Sequence, residues 1–321
     1  MPPSILPTAE AIRAAHARIA PYITRTPLVR DAGLSEQLGG DVLLKLECLQ
    51  DGGSFKLRGA LNAVMTLWES ERAAGIVASS AGNHGIGVAM AAQRLGVRAT
   101  IFVPRSTPQV KLQKIAALGA HVDAYQPNYD AAEDAAKSFA MQTGATFISP
   151  CSGRNLLAGA GTVALEVLEE APTTATVVVC VGGGGLVGGM GGFIRDSAPQ
   201  VRVLGAQSIR TNAMTRAIMA GRAMDIPDLP TLCDGLAGRV DKEMYMQGKA
   251  ALDAIATVEE SDVAEAIRYL HTAHQLRVEG SGAVGVAALR SGALKPTAFP
   301  MVVTVSGSNI DHERWHEIVA N

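Results

Sequence analysis

The 321-residue sequence is short of aromatic residues, at 4%, and of charge, at 18%. So few aromatics argue against the base-stacking platforms of single-strand nucleic-acid binders. Lys and Arg number 28 against 30 Asp and Glu, a net charge of −2. No basic surplus points to nucleic acid or to an anionic membrane surface. Low charge combined with 48% hydrophobic residues excludes a disordered chain. Cysteine is scarce: Cys48, Cys151, Cys180 and Cys233 stand far apart, with no Cys-x-x-Cys. That excludes a zinc ribbon and reads as buried free thiols in a reducing cytoplasm. The opening stretch "MPPSILPTAEAIRAAHARIA" lacks a long apolar core and a small-residue cleavage site, so no signal peptide is expected. The most apolar window, residues 175–194, has the length of a membrane span. Its eight glycines, packed into the second half, fit a strand, loop and helix better.

What the sequence has is alternation. Short apolar runs at 41–46, 75–79, 98–103, 120–125, 145–148, 175–181, 201–206 and 300–305 read as strands, several of them near-continuous Val, Ile and Leu. Such runs suit parallel strands covered on both faces. Helix-period segments lie at 85–95, 109–118 (with Pro108 as an N1 proline), 130–142, 161–170, 186–197, 211–220, 259–275 and 311–319. The pattern predicts an α/β protein, and the length predicts two domains or one large one. Without a linker, a junction would be a crossing of the chain near 46–55 and 145–155.

Three loops follow strands, where open α/β sheets bind ligands. "VGGGGLVGG", residues 181–189, leaves backbone amides bare at a helix start and predicts a phosphate cup. It also fits G-x-G-x-x-G, but no Asp or Glu lies in 199–207 to hold a ribose, so one phosphate is expected and not a dinucleotide. "SSAGNHG", residues 79–85, gathers donors suited to a carboxylate or phenolate oxygen. "VSGSN", residues 305–309, offers the Ser306 hydroxyl at a strand end. A fourth stretch, "GGSFKLRGA", residues 52–60, puts Lys56 and Arg58 in a first helical turn behind Ser54 as N-cap. The macrodipole disfavours cations there by about 0.3–1 kcal/mol, so Lys56 calls for a reason other than helix stability.

Together with "VEGSGAVGVAAL" (278–289), these motifs stand in the order and spacing of the pyridoxal-phosphate-dependent threonine/serine dehydratases. The sequence resembles that family, of fold type II and related to serine racemase, from about Ile19 to Val319. The resemblance implies two domains, each an open, mostly parallel sheet flanked by helices. Residues 1–49 and 151–321 would form a large cofactor-binding domain. Residues 50–150 would form a small one carrying the lysine and the substrate-carboxylate loop. It implies pyridoxal 5'-phosphate as cofactor, with Lys56 forming the Schiff base and Phe55 lying against the ring. Asn83 would bond the ring oxygen, Gly182, Gly183, Gly184, Gly185 and Leu186 would hold the phosphate, and Ser306 would face the ring nitrogen. Ser80, Ala81, Gly82, Asn83 and His84 would grip the substrate carboxylate. The implied reaction eliminates water from a 3-hydroxy amino acid such as L-threonine or L-serine, giving a 2-oxo acid and ammonia. A cytoplasmic homodimer with a small amino-acid substrate is expected, without nucleic acid, membrane or metal.

Departures from the family pattern narrow this. Related serine racemases carry a serine where Ala81 stands, which predicts poor racemisation. Their divalent-cation ligands are replaced by Gln207, Thr211 and Ala213, poor Mg²⁺ ligands. Residues 106–153 hold no arginine for the second carboxylate of 3-hydroxyaspartate. "PCSGRNLLAGAGT" (150–162) departs from the usual pattern near the substrate, which keeps a bulkier 3-hydroxy amino acid or 3-hydroxyaspartate, racemisation and β-replacement open as alternatives. "HERWH" (312–316) fits H-E-x-x-H, but only five residues follow His316. Zinc hydrolysis through His312, Glu313 and His316 is the remote alternative. His271 and His274 also share a helical face but have no third ligand.

Overall fold

The computed structural model describes residues 5–227 and 229–320. Residues 1–4, 228 and 321, which the readings of the N-terminus and of the domain spans include, lie outside the described residues. The strands are β1 Leu28–Arg30, β2 Val42–Lys45, β3 Ile76–Ser79, β4 Ala99–Pro104, β5 His121–Gln126, β6 Thr146–Phe147, β7 Thr176–Cys180, β8 Arg202–Ser208, β9 Ala254–Val258 and β10 Met301–Thr304. They form a six-stranded sheet in the order β1-β2-β10-β7-β8-β9 and a four-stranded sheet in the order β5-β4-β3-β6. Only β1 runs antiparallel to its neighbour; every other pairing is parallel. Central strands such as β7 and β10 are buried along their whole length, as strands covered on both faces must be.

Each predicted strand is present. The edge strands β1 and β9 were not expected. Both are short and partly exposed, so they lack the apolar run that betrays a central strand. The helix expected from residue 161 begins earlier and spans Arg154–Glu170. Its N-cap, Gly153, has φ +99 and no capping side chain, so no cap signal marked the start. Pro108 is the N-cap of the helix Gln109–Ala116, one position before N1. The apolar window 175–194 divides into β7, a glycine loop and the helix Gly185–Ser197. Among the described residues no helix is long and apolar enough to cross a membrane.

Close helix packing sets the site. A Cβ on Gly161 would come within 2.7 Å of Gly189 O, and one on Gly159 within 2.8 Å of Gly59 Cα. The helices Lys56–Met65, Arg154–Glu170 and Gly185–Ser197 therefore meet nearly backbone to backbone. Their meeting brings the Lys56 turn close to the glycine loop.

Candidate active site

Lys56 is the first residue of its helix, but Ser54 does not cap it. Ser54 is extended (φ −167) and forms an antiparallel bridge with Gly307; Phe55 occupies the N-cap with no side-chain bond. The bridge does positional work: Phe55 N donates to Ser306 O at 3.3 Å. The Lys56 turn is thereby tied to the loop after β10. Lys56 Nζ donates to Pro150 O at 2.8 Å and lies 5.3 Å from the Phe55 ring centroid.

Behind Lys56 sits a buried charge cluster that the sequence reading missed. The Arg58 guanidinium binds Glu47 at 2.8 Å and Glu166 at 2.6 Å, and Lys45 Nζ binds Glu166 at 2.8 Å, all fully buried. Two buried cations face two buried carboxylates, and Lys45 Nζ also reaches Glu170 at 3.4 Å. Burial opposes ionisation of Glu166, but His16, 3.7 Å away, and hydrogen bonds from Arg58, with the charges of Arg58 and Lys45, hold it well below the usual carboxylate range. The cluster joins the Lys56 helix to β2 and to the helix Arg154–Glu170.

The glycine loop lies across from Lys56. A Cβ on Gly185 would sit 3.3 Å from Pro150 O, the carbonyl that Lys56 binds, and 3.1 Å from Cys151 Cα. One on Gly183 would strike Cys151 Sγ at 2.6 Å, and one on Gly182 would meet Leu236 Cα at 3.1 Å. Gly184 has φ +91, a conformation that suits glycine. The first N–H groups of the helix Gly185–Ser197, Leu186 among them, have no partner within it and form its positive end. A cradle that side chains would fill, open at a helix N-terminus, fits a phosphate.

Ser306 is buried on the same side. Its hydroxyl accepts from the Cys180 thiol at 3.2 Å, and burial pushes that thiol up to about 11. Cys180 thus stays protonated and fills a lone pair of Ser306. Asn83 opens the helix Asn83–Leu95 and reaches Glu279 and Asn309, each at 2.6 Å. Ser80 Oγ accepts from Gly82 N at 3.2 Å, and Ala81 packs on the apolar core of the four-stranded sheet. His84 is buried with Nε2 2.8 Å from Ile148 O. Burial and the charge of Lys56 lower it to about 3. The neutral ring donates to that carbonyl and offers no charge. Glu279, another residue that the sequence reading missed, sits inside a quoted motif as an acid just before a Gly-Ser-Gly helix start.

The other histidines do not converge. His312 and His316 face each other at 3.0 Å on an exposed helix with Arg277 beside them. His274 pairs with Asp31 at 2.9 Å, whereas His271 packs on Trp315. Among the described residues no group of three or more His, Cys, Asp or Glu could hold a metal ion.

A lysine amine, a glycine phosphate cradle, a buried serine hydroxyl and a polar helix start converge at the carboxyl ends of parallel strands. Fold and site together fit an enzyme that takes a phosphorylated cofactor beside a lysine amine. The family of pyridoxal-phosphate dependent enzymes matches residues 19–307, and the chain belongs to it. It is 40% identical over 305 residues to an L-threonine ammonia-lyase of Thermotoga maritima, covering 95% of this chain and 76% of that one. A serine racemase of Oryza sativa subsp. indica is 32% identical over 306 residues, covering 94% and 90%. The solved structure of maize serine racemase superposes with a TM-score of 0.93 at 30% identity, covering 98% of both chains.

Proposed function

We propose that this protein eliminates water from a 3-hydroxy amino acid such as L-threonine or L-serine, releasing a 2-oxo acid and ammonia. The observation that carries the reading is the pairing of the Lys56 amine and the glycine cradle against one carbonyl, Pro150 O. The L-threonine ammonia-lyase relatives support the substrate class.

When bound, the cofactor supplies a conjugated ring that takes up electrons released at the substrate α-carbon. The chain supplies the rest. Lys56 would hold the cofactor and, once free as an amine, would remove the α-proton. Gly182 to Gly185 and the Leu186 amide would hold the phosphate. Phe55 would lie against the ring, and Asn83 would donate to its oxygen. Ser306 accepts from Cys180, and its one hydrogen, which points to Ser281 O at 3.5 Å, would turn to the ring nitrogen and bring no negative charge there. Ser80, Ala81, Gly82 and Asn83 hold the substrate carboxylate, with His84 contributing its backbone amide. The two sheets support a division into 1–49 with 151–321 and 50–150, with the Lys56 helix as the seam. A cytoplasmic homodimer completes the proposal, and light scattering in solution checks the dimer.

Serine racemases among the relatives favour a second reading. Ala81 argues against it, since it has no hydroxyl to move a proton on the opposite substrate face. A chiral assay should find little D-serine formed from L-serine. The main test has two parts. Borohydride reduction with pyridoxal phosphate should fix the label on Lys56. A panel of 3-hydroxy amino acids should yield 2-oxo acid and ammonia. Lys56→Ala should lose both label and turnover; near-normal turnover in that variant would refute the assignment.

A further inference from the structure

One buried carboxylate faces the site without a part in the chemistry above. Glu279 immediately precedes the helix Gly280–Arg290 and is buried. Its Oε1 accepts from Asn83 Nδ2 at 2.6 Å. At the other end of that amide, Asn83 Oδ1 accepts from Asn309 Nδ2, also at 2.6 Å. Asn309 is itself fixed, since its Nδ2 donates to Gly52 O at 2.7 Å and its Oδ1 accepts from Lys114 Nζ at 2.5 Å. Gly307 leaves the room: a Cβ there would strike Glu279 Oε1 and come within 3.1 Å of Asn83 Nδ2. An amide nitrogen carries two hydrogens. Glu279 takes one and Asn309 occupies the oxygen, so a flipped amide would lose both bonds. One hydrogen is left over.

We propose that Glu279 is a positioning residue: its carboxylate orients the Asn83 amide so that the remaining Nδ2 hydrogen meets the ring oxygen of pyridoxal phosphate. This rests on the role proposed for Asn83 above.

Ionisation of Glu279 falls near neutrality. Burial pushes its carboxyl up to about 7; Asp234 adds to the shift, whereas the Asn83 amide, the Asn309 backbone N–H and Lys111 oppose it. The groups facing it are Asp234 on the turn Asp234–Leu236, Lys111 and Lys114 on the helix Gln109–Ala116, and the thiols of Cys48, Cys180 and Cys233. Burial raises all three thiols, so they stay neutral while Glu279 titrates. The carboxylate is an acceptor only, whereas the acid carries a hydrogen that the Asn83 NH₂, a donor, cannot accept, and its uncharged oxygens accept more weakly. Asn83 is therefore held more firmly above the ionisation than below it. The cost falls on folding. A carboxyl whose folded pKa is raised gives stability below its unfolded value, and that stability is lost as pH rises through the folded value.

The test uses Glu279→Ala, Glu279→Gln, Asn83→Ala and the double Ala variant. Dissociation constants of pyridoxal phosphate from the apoprotein are measured from about pH 5 to about pH 9, with Tm alongside. Glu279→Ala should weaken the cofactor about tenfold at about pH 8, the worth of one hydrogen bond to a charged group. It should add nothing in the Asn83→Ala background. The affinity ratio of the parent protein to Glu279→Gln should change through one ionisation near neutrality, and the Tm gained by Glu279→Gln should grow with pH over the same range. Parent-like affinity in Glu279→Ala, an equal loss in both backgrounds, or a pH-independent Tm offset would each overturn the proposal. If borohydride labels Lys56 but the Glu279 series is flat, this inference alone fails. If Lys56 takes no label, the functional reading fails first.

Discussion

Arg58 shows how a single residue can serve the site without touching the chemistry. It lies two positions past Lys56 and is fully buried, with its guanidinium between Glu47 and Glu166. Removing one partner of a buried pair leaves charge unpaired, at a cost of about 3–5 kcal/mol. Arg58→Ala should therefore lose about that much in urea unfolding, whereas the same change at the exposed Arg30 should cost under about 1 kcal/mol. Equal losses at both positions would mean that the cluster does not anchor the Lys56 helix. The pH dependence has a definite sign. Glu166 is held well below its unfolded value, so its stabilisation is full above about 4.5 and drains away as pH falls further. Lys56 was legible because a motif surrounds it. Arg58 was quoted in the same motif and does stand in the first turn, but its buried pairing was missed, because its partners come from distant points in the chain. No spacing rule reports a contact that the fold creates.

At the scale of the element, the glycine loop and its helix form the part that tolerates least change. Gly183→Ala would drive a methyl group into Cys151, which is 2.6 Å from that position. The loop or the Cys151 segment must shift, and the cofactor phosphate loses its fit. Affinity for pyridoxal phosphate should fall by more than about tenfold, at least one hydrogen bond's worth, with Tm of the apoprotein moving far less; a fluorescence titration reads it. An unchanged dissociation constant would move the phosphate elsewhere. The loop after β8 illustrates the opposite case, an element complete in itself. Gln207 Nε2 donates to Thr211 O at 2.8 Å, and its Oε1 accepts from Thr215 N and Oγ1 at 2.9 and 2.7 Å. A side-chain amide closes this turn. Activity should therefore survive chelator, and a loss restored by Mg²⁺ would contradict that. Central strands and the glycine loop could be read from composition. Edge strands and uncapped helix starts could not, because a half-exposed three-residue strand carries no apolar run and Gly153 carries no capping side chain.

Over the whole molecule, the two sheets differ in how firmly they are held. In the six-stranded sheet β7, β8 and β10 are buried almost throughout, whereas β5 is exposed or half-buried along its length. The four-stranded sheet reaches the large one partly through polar ties. Lys114 binds Asn309, Asn83 binds Glu279 and Asn309, Lys111 lies 3.9 Å from Asp234, and Arg239 lies 4.0 Å from Glu133. The last two are long contacts with at least one exposed partner and are worth little singly. The Lys114 tie is exposed as well, but it holds Asn309, whose bond to Asn83 is partly buried and bears on the site. Opening free energies vary across a fold with burial and contact. Amide exchange should therefore be fastest in β5 and the helix Gln109–Ala116 and slowest in β7. Lys114→Ala should accelerate exchange in that helix and in the Asn83 turn, leaving β7 unchanged, because the variant removes a tie between the sheets and nothing within the larger one. Uniform acceleration, β7 included, would mean that the protein opens as one unit. The polar ties would then be incidental to the placement of Asn83.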